Sequence, residues 1–244
     1  MFRRTAARLL IVGDSITLGV AQLRGEQIDA YVDRCYLDIL REKLPGLDIR
    51  MDAETHRTTT EALRLIDGLL RQHQPTMVLL MLGGNDVDVQ WKRFVISQGR
   101  IVRSRVSLEH YTNNLQALVR KVLDFGATPI LTDMPNHCLA LRGPYLSKLS
   151  GKNVTAMIAA HGGQPVSDAG LVEYRLAAER IARAVDCPFV SYGTALSRQP
   201  PLTVSSLDGV HPNSQAHIII AAELAPVLSC LVGSSRSTLS RSSA

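Results

Sequence analysis

The chain reads as an α/β protein, a three-layer α/β/α sandwich around a parallel sheet. Three observations lead there. Short apolar runs alternate with segments of helical periodicity along the 244 residues. The run Thr76–Leu82 is apolar from Met77 onward without alternation, as in a strand covered on both faces. Polar, glycine-containing clusters follow the first and third strands, the rim where an open parallel sheet gathers its ligands.

Arg8–Gly13 is the first strand. Tyr31–Leu44 is expected to be a helix stopped by Pro45-Gly46, and Leu47–Ala53 a short strand. Thr58–His73 is a helix: Thr58 and Glu61 have capping-box spacing, and Ala62, Leu63, Ile66, Leu69 and Leu70 share one face. After the strand Thr76–Leu82 comes the helix Ser107–Phe125. Ser107 caps it, Leu108, Tyr111, Leu115, Leu118 and Val122 form its stripe, and Gly126 stops it. Ala127–Thr132, Leu171–Val185 and Pro188–Ser191 add a strand, a helix and a short strand. Ser214–Leu231 is the last helix, with a bend expected at Pro226. No repeat or linker divides residues 1–232, which are expected to form one domain; the Ser- and Arg-rich tail 233–244 is expected to be disordered. The connections Val87–Val106 and Met134–Ala169 are long, and both leave the ligand-binding rim.

Composition narrows the class. Hydrophobic residues make up 45% and charged residues 20%, the balance of a soluble globular chain. The longest apolar runs, such as Met77–Leu82, fall short of a bilayer's thickness. Arg3, Arg4 and Arg8 precede Leu9–Val12, but this apolar stretch is too short for a signal peptide and leads straight into the first polar cluster, so a cytoplasmic location is expected. Cys35, Cys138, Cys187 and Cys230 show no metal or disulfide spacing and read as buried free thiols. The seven histidines form no ligand pattern either, so no metal is expected. Net charge is +5, and the stretch Trp91–Val106, with Lys92, Arg93, Arg100, Arg103, Arg105 and no acid, accounts for all of it. Such local charge, with only 5% aromatics, argues against a nucleic-acid partner.

Three motifs carry chemistry. Gly13-Asp14-Ser15 ends the first strand; alone it fits a helix N-cap or a phosphate-binding loop as well as a nucleophile. Gly83-Gly84-Asn85-Asp86 ends the third strand and alone fits a tight turn. Asp208-Gly209-Val210-His211-Pro212 sets an acid three residues before a histidine and stiffens it with Pro212. Together they offer a hydroxyl, an imidazole and a carboxylate. A serine hydroxyl attacks poorly until an imidazole takes its proton, and the imidazole needs an acid to fix its tautomer.

In the order Ser, Asn, Asp/His, from about Leu9 to Leu228, these blocks resemble the GDSL/SGNH hydrolase superfamily. The resemblance implies the SGNH hydrolase fold, with a flavodoxin-like parallel sheet. It also implies a serine esterase that cleaves a small-molecule acyl ester or thioester through an acyl-enzyme, without cofactor. Carried over by position, Ser15 is the nucleophile and its backbone N–H an oxyanion donor. His211 is the general base, Asp208 holds His211, and the Asn85 side chain is a second oxyanion donor. Asp14 and Gly84 support the substrate site, and Asp86 braces the Asn85 loop.

One block departs from the family pattern. Where Gly-x-Thr-Thr-x-x-x-Leu is usual, this chain has His56-Arg57-Thr58-Thr59-Thr60-Glu61-Ala62-Leu63. His56 stands where a glycine N–H would be a further oxyanion donor. Its backbone N–H survives, but a glycine-only backbone conformation is in question; alternatively the His56 side chain points to solvent above the pocket. The same site also fits an acyltransferase. A rival of another class is a flavodoxin-like binding module with Gly13–Thr17 holding a phosphate, which leaves Asp208 and His211 without a job. The basic stretch 91–106 reads as a solvated loop, an anion contact or, through Trp91 and Phe94, a lid or acyl-binding wall. His137 borders the pocket.

Overall fold

A computed structural model describes residues 7–24, 27–163 and 170–241. The basic residues Arg3 and Arg4, positions 164–169 of the second long connection and tail residues 242–244 lie outside the described residues. In chain order, β1 (Arg8–Gly13) is followed by an antiparallel hairpin, β2 (Val20–Arg24) and β3 (Gln27–Tyr31). Next come α1 (Tyr36–Lys43), β4 (Asp48–Ala53), α2 (Thr59–His73) and β5 (Met77–Met81). The first long connection holds α3 (Gly84–Val87) and α4 (Trp91–Ile96), and leads to α5 (Leu108–Asp124) and β6 (Thr128–Thr132). The second holds α6 (Leu139–Ser150) and α7 (Val154–Ala160), and leads to α8 (Leu171–Ala184) and β7 (Phe189–Val190). Finally come α9 (Tyr192–Ser197), α10 (Pro201–Val204) and α11 (Ser214–Arg241).

Five parallel strands form the sheet in the order β4-β1-β5-β6-β7. Alternate residues of each strand enter opposite cores. Leu10, Val12, Val78 and Leu80 join α2, α5 and α8 on one face. Leu9, Ile11, Leu79 and Met81 join α1 and α11 on the other. Both faces are buried, which is why β1 and β5 read as unbroken apolar runs. The strand order reverses direction between β1 and β5, and ligands of such sheets sit at the carboxyl end of that switch point. Ser15 follows β1 there, and Asn85 follows β5.

Several elements differ from the sequence reading. The helix expected from Tyr31 begins at Tyr36, because Tyr31 ends the hairpin. Leu23 of that hairpin is buried while β3 is largely exposed, so one strand covers the body and the other faces solvent. Both long connections carry helices. Val89, Trp91, Phe94 and Val95 of the first pack with Val154 and Ile158 of the second in a separate apolar cluster, a small cap with its own core. Helix α11 runs on to Arg241, through most of the tail read as disordered. Its Ser214–Gly233 portion, mean hydropathy 1.9, is long and apolar enough to cross a membrane by length and composition, unlike the short uninterrupted apolar runs such as Met77–Leu82. Ala216, Ile220, Ala221, Leu224 and Leu228 of that portion are fully buried in the second core. Of the four free thiols only Cys138 is fully buried, and Cys230 is exposed.

Candidate active site

The turn after β1 is built around Gly13 and Asp14. A Cβ on Gly13 would sit 2.0 Å from Thr17 Oγ1, so only glycine lets the chain fold back over Thr17. Asp14 Oδ1 accepts the Ile16 N–H at 2.9 Å and fixes the turn that presents Ser15. Asp14 Oδ2 accepts from Asn85 Nδ2 at 3.0 Å, tying the first motif to the second across the switch point. Burial raises the Asp14 carboxyl to about 6, against the pull of these hydrogen bonds and the charges of His211 and Arg57.

Asp86 anchors the second motif from beneath. Its carboxylate accepts the Thr59 N–H at 3.1 Å and the Thr59 hydroxyl, so it caps the first turn of α2. It has no exposed surface, and burial raises its carboxyl to about 6. The capping box read from the sequence is present at the same helix end, where Glu61 accepts the Thr58 N–H at 2.9 Å.

The third motif lies on the loop before α11. Asp208 Oδ1 accepts the N–H groups of Val210 and His211 at 3.0 and 3.1 Å. His211 Nδ1–H donates to Asp208 Oδ2 at 2.6 Å, and the Ser15 hydroxyl donates to His211 Nε2 at 2.9 Å. All three residues are at most 5% exposed. Burial pushes the Asp208 carboxyl up, but the His211 hydrogen bond and charge, with the two N–H groups, outweigh it and bring it to about 2. An acid held ionised against Nδ1–H leaves Nε2 free to accept the hydroxyl proton. Gly209 sets where this loop sits. Its φ is +72°, and a Cβ would lie 2.4 Å from Arg142 N and 2.5 Å from the Cys138 carbonyl oxygen at the start of α6.

His56 takes φ +63°, the left-handed conformation that glycine adopts at no cost. The position is left-handed although it carries a side chain, and His56 lines one cavity of about 590 Å³ together with Ser15, Asn85 and Gly84. Lys92, Arg93 and Arg105 of the basic stretch line it too, as does Trp91. Phe94 is instead buried in the cap. His137 borders this cavity and a second one of about 450 Å³, which it shares with His211. His137 Nδ1 lies 3.8 Å from Asp88 Oδ1. No group of three metal-ligating side chains occurs among the described residues.

The sequence reading missed two arginines. Arg175 of α8 donates to the Met134 carbonyl at 2.9 Å and to Asn136 Oδ1 at 2.6 Å, fastening the segment that leads into the second long connection. Arg142 of α6 lines the main cavity. Gly143-Pro144 inside α6 reads as a helix breaker, so nothing in the sequence marked Arg142 as part of an ordered wall.

The family model for the GDSL-like lipase/acylhydrolase family matches residues 11–219. A comparison with curated proteins finds no match. Among solved structures, the psychrotrophic esterase EstA from Pseudoalteromonas sp. superposes with a TM-score of 0.61 at 18% identity, over 93% of this chain and 98% of that one. A lipase/acylhydrolase from Enterococcus faecalis gives 0.65 at 15% identity, over 91% and 95%. An acetylxylan esterase from Geobacillus stearothermophilus gives 0.61 at 21% identity, over 92% and 94%. At these identities the superpositions establish a shared fold.

Proposed function

This chain belongs to the GDSL-like lipase/acylhydrolase family, and on that footing we propose that it hydrolyses an acyl ester through a covalent acyl-enzyme on Ser15. The observation that carries the reading is the buried chain Ser15–His211–Asp208, with links of 2.9 and 2.6 Å, opening on one cavity. Ser15 Oγ attacks the ester carbonyl as His211 Nε2 takes its proton. Asp208 holds the ring and stabilises the imidazolium that forms. The oxyanion is met by the N–H of Ser15, the Asn85 amide and the N–H of His56. His211 then protonates the departing alcohol, and water, activated by the same imidazole, releases the acid. The left-handed backbone at His56 supports assigning its N–H to the hole.

Hydrolysis of p-nitrophenyl esters of graded acyl length at neutral pH tests the reading. Wild type is expected to turn over, and both Ser15→Ala and His211→Ala to fall by at least about 10³-fold. Undiminished turnover in Ser15→Ala would sink it.

A further inference from the structure

Arg142 is held in the cavity wall with most of its donors unspent. Its helix start is fastened to the catalytic loop, where the Cys138 N–H donates to the Gly209 carbonyl at 2.8 Å. The guanidinium carbon lies 5.6 Å from the centroid of the Trp91 ring and 6.0 Å from that of Tyr145, so two aromatic rings hold it. No carboxylate pairs with it among the described residues. Nη1 makes one long hydrogen bond, 3.4 Å to the Asp208 carbonyl. The buried Nε–H has no hydrogen-bond partner. A guanidinium has five donors and no acceptor, and a buried donor left unmade is costly.

The carboxylates that line the same cavity are already engaged. Asp14 accepts from Asn85 and Ile16, Asp208 from His211, and Asp88 from Trp91 Nε1 at 2.8 Å and Arg105 at 3.5 Å. Lys92 and Arg93 stand exposed on the cavity wall with no ion pair among the described residues. The cavity therefore holds an excess of positive charge, one element of it held against two aromatic rings in a wall of the cavity that Ser15 also lines. A guanidinium edge matches the paired oxygens of a carboxylate or phosphate.

We propose that Arg142, with Lys92 and Arg93 of the same cavity lining, forms an anion subsite, and that the preferred substrate is an ester bearing a carboxylate or phosphate group. The proposal rests on the esterase reading of Ser15. The test compares matched pairs: p-nitrophenyl valerate with the mono-p-nitrophenyl ester of glutaric acid for an acyl-side anion, and phenyl acetate with 4-acetoxybenzoate for an alcohol-side anion. In one pair the anionic ester is expected to have at least about tenfold higher kcat/KM, an advantage that shrinks with added salt. In Arg142→Met the ratio is expected to fall to near parity. Should that variant fail to fold, the double variant Lys92→Gln/Arg93→Gln is expected to cut the preference by about threefold or more.

Wild type without preference in either pair, or a preference that survives these substitutions, overturns the proposal. Binding of glutarate and of inorganic phosphate, read from the fluorescence of Trp91, the single tryptophan, separates the two claims. Arg142-dependent glutarate binding without hydrolysis of any ester would leave the subsite standing and sink the esterase reading. Turnover of neutral esters with neither binding nor preference would sink the subsite alone.

Discussion

Asn85→Ala separates two duties of one amide. Asn85 Nδ2 donates to Asp14 Oδ2 at 3.0 Å, and the side chain lines the cavity beside Ser15. In the proposed role of oxyanion donor it would act in the transition state, so its loss is expected to raise the barrier by about 3–4 kcal/mol and to lower kcat by about 10²–10³-fold. KM is expected to stay within a few fold, because the ground-state carbonyl does not depend on the donor. The second duty is electrostatic. Burial already lifts Asp14 to about 6 while the Asn85 hydrogen bond helps hold it down. A hydrogen bond to a charged group is worth about 1.5–3 kcal/mol, and one pH unit about 1.4 kcal/mol, so its removal raises the carboxyl further. A group raised in the folded state loses its stabilising contribution as pH rises through the folded value. The stability difference between wild type and Asn85→Ala is therefore expected to be smallest near pH 5 and to grow by about 1.5–3 kcal/mol by pH 8. Steady-state kinetics and urea unfolding from pH 5 to 8 measure both. A kcat within about fivefold of wild type, or a stability penalty independent of pH, would refute the reasoning.

Three further substitutions probe the frame around the site. Gly209→Ala places a methyl 2.4–2.5 Å from backbone atoms of α6 at φ +72°, so a loss of roughly 3 kcal/mol and a lower Tm are expected, with activity falling as the Asp208–His211 loop shifts. An unshifted melting curve would contradict that packing. His56→Gly relieves the left-handed backbone but loosens the unfolded chain, so stability is expected to stay within about 1 kcal/mol; His56→Val, β-branched at φ +63°, is expected to lose more than that, and equal melting temperatures for the two would refute the assignment. Asp86 and His217 should tilt stability in opposite directions. Burial raises Asp86 to about 6, so its contribution is full below about 4 and is lost as pH rises to 6. Burial and the nearby His211 charge lower His217 to about 4, so its contribution is full above about 6.5 and is lost as pH falls. Urea unfolding at pH 4 to 7 of Asp86→Asn and His217→Gln, each against wild type, is expected to give differences of opposite slope; slopes of the same sign would overturn the account.

The parts legible in the sequence are those whose local chemistry is self-sufficient. β1 and β5 announce themselves because both faces are buried, and α2 and α5 because Thr58, Glu61 and Ser107 cap clean apolar stripes. Two of the three motifs are self-sufficient because residues two or three apart bond one another: Asp14 to the Ile16 N–H, Asp208 to His211. Asn85 and Asp86 of the middle motif bond Asp14 and Thr59, far off in sequence. The hairpin β2–β3 was not legible, since its strands are short and β3 has almost no buried side to create a pattern. The cap escaped for another reason. Phe94 packs on Trp91 edge-on, and Val154 and Ile158 reach it from some 60 residues away, so its core exists only in three dimensions. Arg142 illustrates the same limit: its helix carries Gly143-Pro144, and its neighbours Trp91 and Asp208 lie far off in sequence.

The most direct test of the central claim is to trap the covalent intermediate. Protein mixed with p-nitrophenyl acetate, quenched in acid within the first turnovers and digested, can be read by mass spectrometry. One acetyl group is expected on the peptide containing Ser15 and none on that of Ser15→Ala. Turnover of the ester with Ser15 unmodified, or acetyl carried on another side chain at the same rate, would contradict it.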